Sequence, residues 1–209
     1  ACADLESALA CAARVQSLRC TPLATLIDEN LLADGARIFV FLAGRSRQVA
    51  LDAAQLSAVI GSATRIEDGD ARVLRRRVFD RSGVESDGTC LRVSMEPALF
   101  SEVLARAREV LKRADFPARL LGQPRVATLD LFLEQPITRV GELVDLARRL
   151  ALELVRLRAR VEAKQAPLEV HRALAPLRTS GIAFDWMERV RAALDPSGTL
   201  SSSVYPCRT

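Results

Sequence analysis

Histidine is nearly absent from this chain: His171 is the only one in 209 residues. That removes H-E-x-x-H zinc sites and every multi-histidine metal site, so no metal is expected. Lysine is almost as scarce. With Lys112 and Lys164 the only two, 28 of the 30 basic residues are arginine. No C-x-x-C occurs, and Cys2, Cys11, Cys20, Cys90 and Cys207 are too few and too scattered for a disulfide framework. They read as reduced residues in a cytoplasmic setting. Neither G-x-G-x-x-G nor G-x-x-x-x-G-K-[ST] is present, so the chain carries no Rossmann or P-loop phosphate cradle of its own. No apolar run reaches the roughly 18 to 20 residues that cross a bilayer, and the N-terminus lacks a signal-peptide pattern. No membrane insertion is expected.

Hydrophobic residues make up 49% of the chain, enough for a substantial core. The net charge of +4 and pI near 9.1 come from arginines dispersed among 26 acids, without the aromatic interleaving of a nucleic-acid surface. No nucleic-acid partner is expected, and Arg75-Arg76-Arg77 reads as a solvated helix face. Glu67, Asp68 and Asp70 read as the capped start of that helix. Asp130 alternates with Leu129, Leu131 and Leu133, which directs its side chain off the apolar face.

Apolar spacing predicts a helix over Asp4 to Leu18, an ambiguous segment from Leu23 to Leu32, and a strand over Ala36 to Leu42. A helix from Ser46 or Arg47 to Val59, a short strand at Thr64 to Glu67 and a helix over Asp70 to Phe79 follow. The order is thus strand, helix, strand, helix. After a polar hairpin-like stretch from Asp80 to Gly88 come a strand at Cys90 to Met95 and a helix at Leu99 to Arg113. Strands at Ala118 to Leu121 and Val126 to Leu133 are joined by Gly122-Gln123-Pro124-Arg125. A long helix capped by Thr138 runs from Arg139 to Ala163, and a last strand covers Leu168 to Arg172.

These elements define an α+β class, an antiparallel sheet with helices packed on one face, in two ferredoxin-like halves. The chain reads as a single domain over residues 1–209, with possible halves at 1–80 and 81–209. Starting at Ala1, it reads as a fragment of something longer.

The last helix carries Ala183, Trp186, Met187, Val190, Ala193 and Leu194 on one face and stops at Asp195-Pro196 before Ser197-Gly198. This marks Trp186 as a core residue. The stretch resembles the "m-x-r-i-K-x-a-l-D-P-x-g-i-l-n-P-G" ending of FAD-linked oxidases and dehydrogenases of the vanillyl-alcohol-oxidase type. Three further segments resemble the FAD-binding (E) subunit of glycolate oxidase. Ala36 to Gly44 is similar to its "l-l-v-r-l-a-G" strand, Cys90 to Pro97 to its "l-r-v-s-v-l-P" strand, and Leu168 to Leu177 to the strand and "A-P" turn before its final helix.

The resemblance implies the C-terminal cap, or substrate, domain of a FAD-linked oxidoreductase that oxidises a 2-hydroxy acid when joined to its flavin domain. The FAD-binding half would lie N-terminal to this domain and is not in residues 1–209. FAD is then the cofactor, and the flavin-binding domain and other oxidase subunits are the partners. Arg191, at the family's lysine position, with Asp195 and Pro196 would form the interface to the flavin domain. His171, on the expected last strand, is the candidate for a substrate- or flavin-facing residue, with Arg172 on the opposite face. Two departures stand out. Ser201-Ser202-Ser203 replaces the "n-P-G", and Leu121-Gly122-Gln123-Pro124-Arg125 lies where related D-2-hydroxyacid dehydrogenases carry a "G-H-x-G-D-G-N-x-H" metal motif. Two other readings remain open on the residues alone: a non-catalytic interaction module of an oxidase complex, and an unrelated ferredoxin-like ligand-binding domain.

Overall fold

The computed structural model describes residues 2, 4–18, 20, 22–31, 35–61, 63–79, 88–133, 139–178, 186, 189, 190 and 192–196. In chain order the elements are α1 (Leu5–Ser17), β1 (Ala24–Asn30), β2 (Ala36–Phe41), α2 (Ser46–Ile60), α3 (Asp68–Phe79), β3 (Thr89–Ser94), a 3₁₀ turn (Pro97–Leu99), α4 (Phe100–Arg113), β4 (Ala118–Gln123), β5 (Thr128–Leu133), α5 (Val140–Val155), β6 (Arg160–Gln165) and α6 (Leu168–Arg178). The strands form one six-stranded sheet in the order β2-β1-β4-β5-β3-β6, antiparallel at every pairing. The chain is therefore α+β, as its patterning implies.

From β3 to β6 the element order is βαββαβ and the strand order is β4-β5-β3-β6, the arrangement of a ferredoxin-like unit. The first half departs from the expected strand–helix–strand–helix order. Ala24–Asn30 is a strand that pairs directly with β2, and Thr64 to Glu67 is exposed and not in a strand. The resulting hairpin extends the ferredoxin-like sheet beyond β4. It supplies an edge rather than a second unit.

Alternation sorts each strand's side chains between two faces. Ile27, Leu91, Val93, Leu120, Leu129, Leu131, Leu133 and Val161 point into one layer, where α1, α4, α5 and α6 lay down Ala8, Val103, Leu104, Leu150, Leu154, Val170 and Leu174. Among the described residues twelve large side chains are essentially closed off from water, eleven of them leucine, so a core built almost without aromatics is filled by branched aliphatics. The other face carries Leu26, Cys90, Leu121 and Phe132, touched by Leu74 and Val78 of α3. A third small cluster joins the end of α1 to α2 and β2 through Val15, Cys20 and Leu56.

Two expectations fail at the end of the ferredoxin-like unit. The long helix stops at Val155 because Arg158 adopts a left-handed φ of 53°. Its N–H bonds back to Val155 and that of Ala159 to Leu154, the paired bonds of a Schellman stop made without glycine. The expected last strand, Leu168 to Arg172, is instead the first part of α6. There Val170, Ala173 and Leu174 are buried at helical spacing, and Leu168, which a strand would have paired with Val170, is 55% exposed. The expected hairpin at 80–87, Thr138, Arg191 and the tail beyond Pro196 lie outside the described residues.

Candidate functional site

Register, more than motif, builds the most distinctive site. Partnering across the sheet aligns Arg37 with Asp28, Asp28 with Leu121, Leu121 with Asp130, Asp130 with Arg92, and Arg92 with Glu162. One row thus crosses all six strands on the face away from the main core. Its sequence of characters is cation, acid, apolar, acid, cation, acid. Lying two strands apart, the backbones of Asp28 and Asp130 are separated by roughly 10 Å.

Each aspartate is neutralised by a forked arginine. Arg92 donates Nε and an Nη to the two oxygens of Asp130 at 2.7 and 2.8 Å. Arg119 makes the same fork to Asp28, with Nη–Oδ2 at 2.7 Å. Such bidentate pairs are the strong form of a charge-assisted bond. A second cation then sits on each acid by a single, longer contact: Arg37 on Asp28 at 3.2 Å and Lys164 on Asp130 at 3.5 Å. The aspartate side chains are 1% and 6% exposed, whereas Arg37 is 60% and Lys164 49% exposed. Each of these two aspartates is therefore faced by two cations, the second on its water-accessible side. A register shift between Cys90 and Leu91 passes over Lys164, so this lysine lies at a bulge, where strands commonly re-aim a side chain.

Electrostatics around the row follow from these contacts. The Asp130 carboxylate, by accepting its hydrogen bonds, raises the pKa of Arg92. Cys90, beneath Leu74 and Val78, is pushed up to about 11 by burial first and by Asp130 second, which leaves it a thiol at neutral pH. It is not a nucleophile here. Cys2, Cys11, Cys20 and Cys90 are all free.

A third acid, Glu29, faces the main core instead. Arg108 of α4 places Nε 2.8 Å from its Oε1 without hydrogen-bond alignment, and its Oε2 has no hydrogen-bond partner among the described residues. Burial raises its pKa, against the opposing pull of Arg108 and Lys112. An acid whose folded pKa lies above its unfolded one destabilises the fold once ionised, so this contribution worsens as pH rises from the unfolded value through the folded one. Glu29→Gln should therefore raise the melting temperature by a few degrees at pH 7 and leave it unchanged near pH 4. Equal shifts at both values would mean that the carboxylate's charge is not what costs stability.

The residues singled out from sequence are dispersed. His171 is half-buried on α6, beside the buried Val170, in the helical layer and thus on the other side of the sheet from the charged row. Arg172 is its neighbour on a helix and not an opposite-face counterpart. Asp195 is buried and Pro196 exposed in a turn. Trp186 is not a core residue: with helical backbone it is 62% exposed, and Val190 and Leu194 on the same stripe are 47% and 76% exposed. The sequence does direct Asp130 off the apolar face, as found. Nothing in a single sequence indicates that Arg92, Lys164, Asp28, Arg119 and Arg37 belong with it, because the pairing depends on strand register.

Among the described residues no three His, Cys, Asp or Glu side chains are grouped to hold a metal. No helix among them is long and apolar enough to cross a membrane. No family model matches the sequence, and no curated protein does. Among solved structures, the 4-ethylphenol oxidase from Gulosibacter chungangensis, determined as its isoeugenol complex, is similar at a TM-score of 0.39 and 16% identity. The match covers 84% of this chain and 35% of that one. The chain spans about a third of that oxidase's length, and a likeness at this level carries no argument about function.

Proposed function

We propose that this chain is the cap, or substrate, domain of a FAD-linked oxidoreductase of the glycolate-oxidase kind, acting in the cytoplasm on a small 2-hydroxy acid together with a separate flavin-binding half. The charged row carries the reading. FAD, held by the other half, would accept the hydride from the substrate. The chain has no glycine-rich loop to hold a pyrophosphate, but the half-exposed Lys164 suits a small anion. On this reading Lys164 receives the substrate carboxylate, because it is the cation that Asp130 needs least: the Arg92 fork already satisfies that acid. Arg92 and Asp130 then act as positioning residues that hold the lysine's neighbourhood rigid. This places the substrate-binding role on Lys164 rather than His171, which lies across the sheet.

Docking to the flavin half would fall to the closing helical stretch. Trp186, Val190 and Leu194 present an apolar stripe to water, and the exposed Pro196 follows it in a turn. Exposed aromatic residues of this kind are common anchors of protein interfaces.

The test is to purify the natural full-length protein, or this chain with its flavin half, and assay glycolate oxidation. A yellow, flavin-containing protein is expected. Lys164→Gln should raise KM for glycolate about ten- to a hundredfold with a smaller change in kcat, as loss of one charge-assisted contact implies. Trp186→Glu should leave the melting temperature of the chain within a degree or two and weaken its association with the flavin half. A flavin-free preparation would sink the oxidoreductase reading in favour of an interaction module. A KM indifferent to Lys164→Gln would remove the row from the substrate site.

A further inference from the structure

A cleft of about 340 Å³ opens on the helical side of the sheet, between α1, the start of α4 and the β4–β5 turn. Its floor is apolar. Ala12, Phe100 and Pro124 are buried and Leu9 half-buried, so the floor is anchored in the core and does not have to be assembled by a ligand. Its rim is polar: Gln16 of α1, Ser101 of α4 and Arg125 of the turn, all exposed. No acid lines it. Arg125 is also steadied, since one Nη donates to the carbonyl of Pro22 at 3.1 Å, leaving its other donors available. The volume lies near the lower end of the roughly 300 to 1,000 Å³ of small-molecule pockets.

We infer that this cleft is a second, independent binding site for a small monocarboxylate with a compact apolar body, such as an aryl carboxylate. The apolar body lies over Leu9, Ala12 and Phe100, and the carboxylate meets Arg125, with Gln16 and Ser101 offering further donors. A single cation and no opposing acid select one negative charge, and an arginine fork suits a carboxylate's two oxygens. The cleft lies across the sheet from Lys164, so the inference does not rest on the flavin reading.

The experiment is an NMR titration of the full chain with benzoate, and with benzyl alcohol as the uncharged probe of the same shape. Saturable benzoate shifts confined to α1, the start of α4 and the turn are expected, with benzyl alcohol binding about tenfold more weakly, one charge-assisted contact's worth. Arg125→Ala should bring benzoate down to the alcohol's affinity without altering the alcohol's. Ala13→Trp, at the exposed rim on α1, should fill the cleft and abolish both while the rest of the spectrum stays native. No saturable benzoate binding up to about 10 mM, where affinity is negligible, would overturn the site. So would shifts mapping elsewhere, or benzoate binding that survives Ala13→Trp. Equal affinity for the two probes would overturn the anion selectivity.

Discussion

Asp28→Ala should destabilise the fold by about 3 kcal/mol, whereas Arg37→Ala should cost less than about 1 kcal/mol. Both residues belong to the same cluster, so the contrast is the point. Asp28 is closed off from water, and its loss strands Arg119, whose side chain is only 16% exposed. A buried cation left without its acid usually costs 3 to 5 kcal/mol. The lower end applies because Arg119 keeps some access to solvent. Arg37, 60% exposed and held by one contact, can simply rehydrate. Urea unfolding of the two variants would measure the difference, and near-equal losses would show that the second cation is structural. That outcome would also weaken the analogous argument for Lys164.

Gly122→Ala is expected to cost about 1 to 3 kcal/mol, as overpacking generally does. A Cβ at this position on β4 would lie 2.7 Å from Cζ of Phe100, with the two Cε atoms at 3.5 and 3.6 Å. Phe100 opens α4, is 4% exposed and belongs to the main core, so its ring has little room to withdraw. The glycine is thus required by a close approach of ring to strand and not by its dihedral angles. Phe100→Leu should relieve the clash, so the double variant should be more stable than the sum of the single losses predicts, by about 1 kcal/mol or more. Strict additivity in thermal or urea unfolding would show that the ring moves aside freely.

How far the sequence leads depends on where each signal resides. α1, α2 and α4 are legible because one chain segment contains their whole apolar stripe and, for α1, the cap: Asp4 accepts from the backbone of Ser7 at 2.7 Å. β2, β3 and β4 are legible from alternation. α5 overruns in the reading because its stop uses Arg158 at the left-handed position, where glycine would have announced it. α6 is misread because Leu168-Glu169-Val170-His171-Arg172 alternates over five residues, and only Ala173 and Leu174 reveal the helical period. The closing stretch fails differently. Its amphipathic pattern is present, but a pattern states which face is apolar and not whether anything in this chain covers it. The charged row is invisible for a related reason, since Asp28 and Arg119 are 91 residues apart and meet only once β1 pairs with β4.

That separation bears on assembly of the sheet. A hairpin of β1 and β2 can form locally, but among the described residues its buried aspartate gets its forked partner only when β4 arrives, so the first strands commit late and to a partner made much further along the chain. The row then fixes alignment: a slip of one residue would turn Asp28, Asp130 or Arg92 into the leucine layer, and a slip of two would keep the faces but part every fork. Strands with leucine at so many positions could otherwise pair in several offsets at similar cost. The ions make one of those offsets the native one.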